Sequence, residues 1–134
     1  MSSFPSLEPG LTGEASVTVT ADLTAAALGS GSVQVYSTPA LIALLEGAAI
    51  AALAGHLPAA MTTVGVRIDV RHLAATPVGQ TVTARASLRE VDGRRLVFDV
   101  SASDPVEPVA EGTHERFIVD RARFESRAAA KATP

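Results

Sequence analysis

Thr38 to Pro58 reads TPALIALLEGAAIAALAGHLP. Ser37 or Thr38 can accept from the unpaired N–H groups of a first helical turn, and Pro39 suits that turn. Gly55 and Pro58 close the segment. Its only polar side chains after the opening are Glu46, near the middle, and His56, near the end. A helix that is apolar all round is a buried helix. An unpaired carboxylate inside such a helix costs several kcal/mol or takes up a proton. Glu46 therefore needs a partner, a use, or both.

The flanking chain changes period. Ser16 to Ala21 alternates as a strand does. Residues 22–36 are mostly small and read as a loop over a site or at an edge. After the helix, Val64, Val66, Ile68, Val70 and His72 fall on one strand face, and Gly65, Arg67, Asp69 and Arg71 on the other. Thr76-Pro77-Val78-Gly79 is a turn. Val82, Ala84, Ala86 and Leu88 alternate with polar residues. Asp92-Gly93 marks a hairpin, and Leu96, Phe98, Val100 and Ala102 mark the strand that follows. A last strand covers about Val109 to Val119, and the tail from Arg121 is basic and Ala-rich. One long apolar helix against an antiparallel sheet is a two-layer α+β design in which the sheet wraps the helix. Its leftover edges and outer face predict pairing with a second copy.

With 134 residues, 47% of them hydrophobic, the chain holds one core. A lead-in over 1–12, a single domain over 13–127 and a tail over 128–134 are expected. Aromatic residues make up 4% and the net charge is -3, which argues against a nucleic-acid surface. The absence of Cys removes disulfides, thiolate nucleophiles and Cys-held zinc. The 18 residues Ala40–Leu57 are just long enough to raise a membrane span. A central Glu and ends without charged anchors make a core helix the better reading, so no membrane partner is expected. MSSFPSLEPG carries neither a basic nor an apolar leader region, and a cytoplasmic location is expected.

The element order resembles the hotdog fold. STPALIALLE (37–46), HLAATPVG (72–79), VDGRRL (91–96) and GTHER (112–116), in this order and spacing, resemble the fluoroacetyl-CoA thioesterase family of hotdog hydrolases over roughly residues 14–127. The resemblance implies a catalytic set of Thr38, Glu46 and His72. It places Gly65 beside a thioester carbonyl and makes Arg116 the site arginine. It also implies hydrolysis of a small acyl-CoA to free acid and CoA by a homodimer or higher homo-oligomer, with no cofactor and no metal. The family's fluoroacetyl-specific member has an aromatic-rich lid before the helix. Here Thr24–Gln34 contains no Phe and only Tyr36 follows, so Tyr36 is the acyl-contact candidate and a different acyl preference is expected.

Each candidate also has a plain structural reading. Glu46 can be an acid hydrogen-bonded to a neighbouring element or subunit instead of a base or nucleophile. His72 can be a satisfied core histidine instead of a proton donor to the departing thiolate. Thr38 can simply cap the helix. It would also lie about 12 Å from Glu46 along a straight helix, at ~1.5 Å per residue. Either Thr38 sits in a loop that folds back, or the site draws on two subunits. Gly65 can mark a bulge or aim its N–H at the thioester oxygen. Arg116 can be an exposed strand residue. His114 and Glu115, as strand neighbours, point to opposite faces and form no dyad. His56 at the helix end is structural. Two other functions share the fold. One is an acyl-CoA binding or sensing module that does not hydrolyse. The other is a hydratase, which usually pairs His with Asp near the site helix, and no such pair is visible.

Overall fold

The computed structural model describes residues 4–132. Residues 1–3 of the expected lead-in and 133–134 of the expected tail lie outside the described residues. Strand β1 (Thr12–Thr18) is followed by a short helix α1 (Ala25–Leu28) and the long helix α2 (Thr38–Ala52). Strands β2 (Met61–His72), β3 (Thr81–Asp92), β4 (Arg95–Ser103) and β5 (Pro108–Asp120) and a terminal helix α3 (Arg121–Ala129) complete the order. All strand pairings are antiparallel, in the order β1-β3-β4-β5-β2. This is the α+β layout expected from the sequence.

Ser37 caps α2, its hydroxyl accepting from the Ala40 N–H, and Pro39 lies in the first turn. The helix buries Leu41, Leu45, Ala48, Ala49 and Ala52. Against them lie Val82, Ala84, Ala86 and Leu88 of β3 and Leu96, Phe98, Val100 and Ala102 of β4. These are the residues whose alternation marks the two strands. Polar residues of the other sheet face form an ionic lattice. Arg95 Nε donates to Glu115 at 2.9 Å and Arg89 pairs with Asp99 at 2.9 Å, so these arginines are engaged on the outer surface.

Three expectations need correction. The lead-in is not loose, because Phe4 and Leu7 are buried in the core cluster. The segment over 22–36 is not a plain loop, since it holds α1 and bridges Thr24 to Tyr36 and Val35 to Pro77. The first strand is β1 over Thr12–Thr18, not Ser16 to Ala21, because the chain turns into a short 3-10 helix at Ala21. Strand β2 pairs with β5 at the sheet edge opposite β1, and the connection over 73–80 is tied to the residues before α2, with Tyr36 N–H donating to Thr76 O at 2.8 Å. As expected, the sheet curls over α2, burying Leu41, Leu45, Ala48, Ala49 and Ala52, while the opposite side of the helix stays exposed. Ala43, Ile50 and Ala51 are exposed, because a single five-stranded layer cannot close around a helix. No helix among the described residues is long and apolar enough to cross a membrane.

Candidate functional site

The site is built around a break in β2. Its pairing with β5 runs regularly to Gly65↔Arg116, skips Val66, and resumes at Arg67↔Glu115 and Ile68↔His114. One extra residue in a strand inverts the side-chain alternation beyond it. The single-face reading of Val64 through His72 is therefore wrong on one side of the bulge. Gly65 shares the helix-facing side with Ile68, Val70 and His72, as their partners Arg116, His114, Gly112 and Ala110 show. Val66 is 57% exposed at the break.

This inversion brings Gly65 under α2, at Glu46. A Cβ at Gly65 would stand 2.5 Å from Glu46 Oε2, 3.3 Å from His114 Cε1 and 3.4 Å from Arg116 NH1. The glycine is thus a close approach that leaves room for a carboxylate. Gly65→Ala is expected to push Glu46 aside and cut turnover at least about 10-fold. The melting temperature should change little, because the obstructing atom ends a flexible side chain. A loss of stability without loss of kcat would show that the position matters only for packing.

Arg116 is the partner that Glu46 requires. Its NH1 donates to Glu46 Oε2 at 3.0 Å, its Nε to Thr63 Oγ1 at 2.8 Å and its NH2 to the Thr63 carbonyl at 3.1 Å. The guanidinium is buried and fully engaged, unlike an exposed strand arginine. Glu46 itself is less buried than its helix suggested, with 37% of its side chain accessible. It lies at the border between the sheet-covered and exposed sides of α2, and lines a pocket of about 200 Å³ with Ile42, Gly65, Val66, Arg67, Ile68 and His114.

Thr38 and His72 form a second cluster. Thr38 is the first residue of α2 rather than its cap or a loop that folds back. Its hydroxyl is free to meet His72 Nδ1 at 2.8 Å. Burial holds the His72 ring below its ordinary pKa, with the Ala74 backbone acting in the opposite direction. His72 Nε2 is buried and finds no hydrogen bond among the described residues. Within one chain the structure joins Thr38 to His72, and Glu46 to Arg116 and Gly65, but does not join the two clusters. Tyr36 belongs to neither. Its ring is buried in the core, its hydroxyl donates to the Ala40 carbonyl at 3.1 Å, and burial pushes its pKa up to about 12.

Sequence reasoning missed His114. It sits two residues before Arg116, hence on the same strand face, with Nε2 3.1 Å from Arg116 NH1 and 4.0 Å from Glu46 Oε2. Glu115 faces the other way, as alternation requires. The signal lay in the two-residue spacing of His114 and Arg116, but only the register with β2 brings the pair to Glu46. Among the described residues no three His, Asp or Glu side chains gather as metal ligands would.

Residues 19–122 match the model of the family described as fluoroacetyl-CoA-specific thioesterase, FlK. The chain belongs to that family. It is 42% identical over 94 residues to the fluoroacetyl-CoA thioesterase of Streptantibioticus cattleyicolor, covering 70% of this chain and 68% of that protein. A solved structure of a fluoroacetyl-CoA FlK point mutant in complex with acetyl-CoA superposes with a TM-score of 0.89 at 34% identity, over 96% of this chain and 100% of that one. A hot-dog-like protein from Thermanaerovibrio acidaminovorans gives a TM-score of 0.83 at 29% identity, covering 93% of each chain. The hotdog fold expected from the element order is therefore the fold of this family member.

Both site histidines are held below the ordinary value of 6.5, chiefly by burial. The unfolded chain takes up protons at a pH where the folded chain still refuses them, so stability falls as pH drops below about 6.5. Glu115 is held below 4.5 by Arg95 and Arg67, and Asp104 below 3.8 chiefly by the Val106 N–H. Their contribution is lost only at lower pH. Melting temperature is expected to decline already between about pH 6.5 and 5. A plateau down to pH 4.5 would show that the rings are not buried neutral.

Proposed function

We propose that this chain is an acyl-CoA thioesterase that hydrolyses a small acyl-CoA to the free acid and CoA. The observation that carries this is a helix-borne carboxylate, gripped by a buried arginine, lining a small pocket with the apolar side chains of Ile42, Val66 and Ile68. The family membership supports it. Glu46 either takes a proton from water as the water adds to the thioester carbonyl, or attacks that carbon itself and is freed by water in a second step. In both routes the C–S bond breaks and the CoA thiolate leaves with a proton supplied through His72, which Thr38 orients. The Gly65 N–H is the proposed donor to the carbonyl oxygen. Water is the only co-reactant.

The working unit is proposed to be a homodimer. Strand β2 is an edge strand 12 residues long, and such an edge invites pairing. Beside it α2 exposes Ile50, 53% accessible, in line with Ile42 and Glu46 at four-residue intervals. A second copy covering this face would bring its Thr38–His72 pair toward Glu46 and give the buried His72 Nε2 a counterpart. The location is proposed to be cytoplasmic.

The test is release of CoA from short, branched, aromatic and halogenated acyl-CoAs, with mass spectrometry of the protein afterwards. Release of CoA from at least one small acyl-CoA is expected. Intact acyl-CoA retained without free CoA would make the chain a binding module instead.

A further inference from the structure

His114 lies at the centre of the Glu46 cluster and has no role in the reaction as derived above. Its contacts fix its chemical form. Nδ1 is 2.7 Å from the Arg67 carbonyl, which can only accept, so Nδ1 carries a proton. Nε2 is 3.1 Å from Arg116 NH1, which can only donate, so Nε2 offers its lone pair. A ring with one proton and one lone pair is neutral. Phe98, its partner on β4, stacks on it with centroids 6.3 Å apart. The Arg67 carbonyl belongs to the residue just past the β2 bulge.

We propose that His114 is a positioning residue for Glu46 that acts through Arg116: held by the Arg67 carbonyl as the Nδ1–H tautomer, it accepts from the guanidinium and so fixes the grip of that guanidinium on the carboxylate. Arg116 NH1 is then shared between two acceptors, Glu46 Oε2 at 3.0 Å and His114 Nε2, while Thr63 holds its Nε and NH2. Every side of the guanidinium is anchored, so the carboxylate it holds has one place to be. Burial keeps the ring neutral, and the Arg116 charge acts in the same direction. Glu46 from α2 and Arg116 from β5 are the charged groups that face the ring. Glu115 lies on the other sheet face. A protonated ring would point N–H at Arg116 instead of a lone pair, and the anchor would be lost.

The inference rests on the thioesterase reading, and two half-mimics of the ring test it. In His114→Asn the amide N–H2 replaces Nδ1 and still donates to Arg67, but nothing accepts from Arg116. In His114→Gln the carbonyl oxygen reaches the position of Nε2 and still accepts. With the acyl-CoA turned over fastest by the wild type, Asn is expected to lower kcat about 10-fold with KM within about two-fold, and Gln to stay within about three-fold of wild-type kcat. Wild-type kcat in His114→Asn, or a Gln variant as slow as the Asn one, overturns the proposal. Nitrogen-15 NMR of the folded wild type at pH 7.5 gives a readout free of turnover. A neutral Nδ1–H ring is expected, and an Nε2–H tautomer or a charged ring overturns the arrangement. If the wild type releases no CoA from any acyl-CoA, the thioesterase reading falls, and the NMR result alone then decides the placement of His114.

Discussion

Glu46→Gln is expected to lower the turnover of a confirmed acyl-CoA by about 10²-fold or more while leaving the fold intact. The substitution keeps the shape of the side chain and an oxygen that can still accept from Arg116 NH1, which sits 3.0 Å away. It removes the only property a base or a carboxylate nucleophile needs. KM should change little, because the amide keeps the size of the carboxylate it replaces and the neighbouring pocket residues Ile42, Gly65, Val66 and Ile68 are unchanged. Steady-state CoA release by purified protein checks this, and circular dichroism confirms the fold. Turnover at the wild-type rate would remove Glu46 from the reaction and leave it as a structural ion-pair partner. Arg116 gives that outcome a clear meaning, since a buried guanidinium needs a carboxylate whether or not the carboxylate does chemistry.

A large loss of stability is expected at a residue with no role in the site. Gly13 on β1 lies directly against the backbone of α2. A Cβ there would run into the Ala52 nitrogen, the Ala48 carbonyl oxygen and the Ala51 carbonyl carbon. Backbone cannot swing aside as a side chain end can, so strand and helix must separate. Gly13→Ala is expected to destabilise the fold by about 3 kcal/mol, a fall of roughly 10 °C in melting temperature for a chain of this size. Denaturant titration checks it. An unchanged midpoint would mean that β1 and α2 can part without cost, and that the small residues Ala48, Ala51 and Ala52 are not there to admit the strand.

The contrast between Gly13 and Gly65 shows where the sequence stopped being legible. The pattern of apolar residues identified α2, and the alternation over Val82–Leu88 and Leu96–Ala102 identified the core faces of β3 and β4. Those signals are local, because period and burial follow from the residues of one element. The Pro39 turn and the Asp92-Gly93 hairpin are local as well. Glu46 stood out for the same reason, as one acid in an apolar run. By contrast, the sequence does not reveal that β2 pairs with β5, since both elements look the same whichever neighbour they take.

The amino-acid order alone therefore determined the long helix and the strands that follow it, the core faces of β3 and β4, and which acid demands explanation. Tertiary structure decided the rest. It showed that a bulge at Val66 inverts one strand and delivers Gly65 to Glu46. It also made the buried arginine and His114 the carboxylate's company, and left one flank of α2 uncovered. The physical reason is that register and crossover relate residues far apart in the chain. A slip of one residue in pairing turns every side chain beyond it to the opposite face, and no periodicity within a single strand records where that slip occurs.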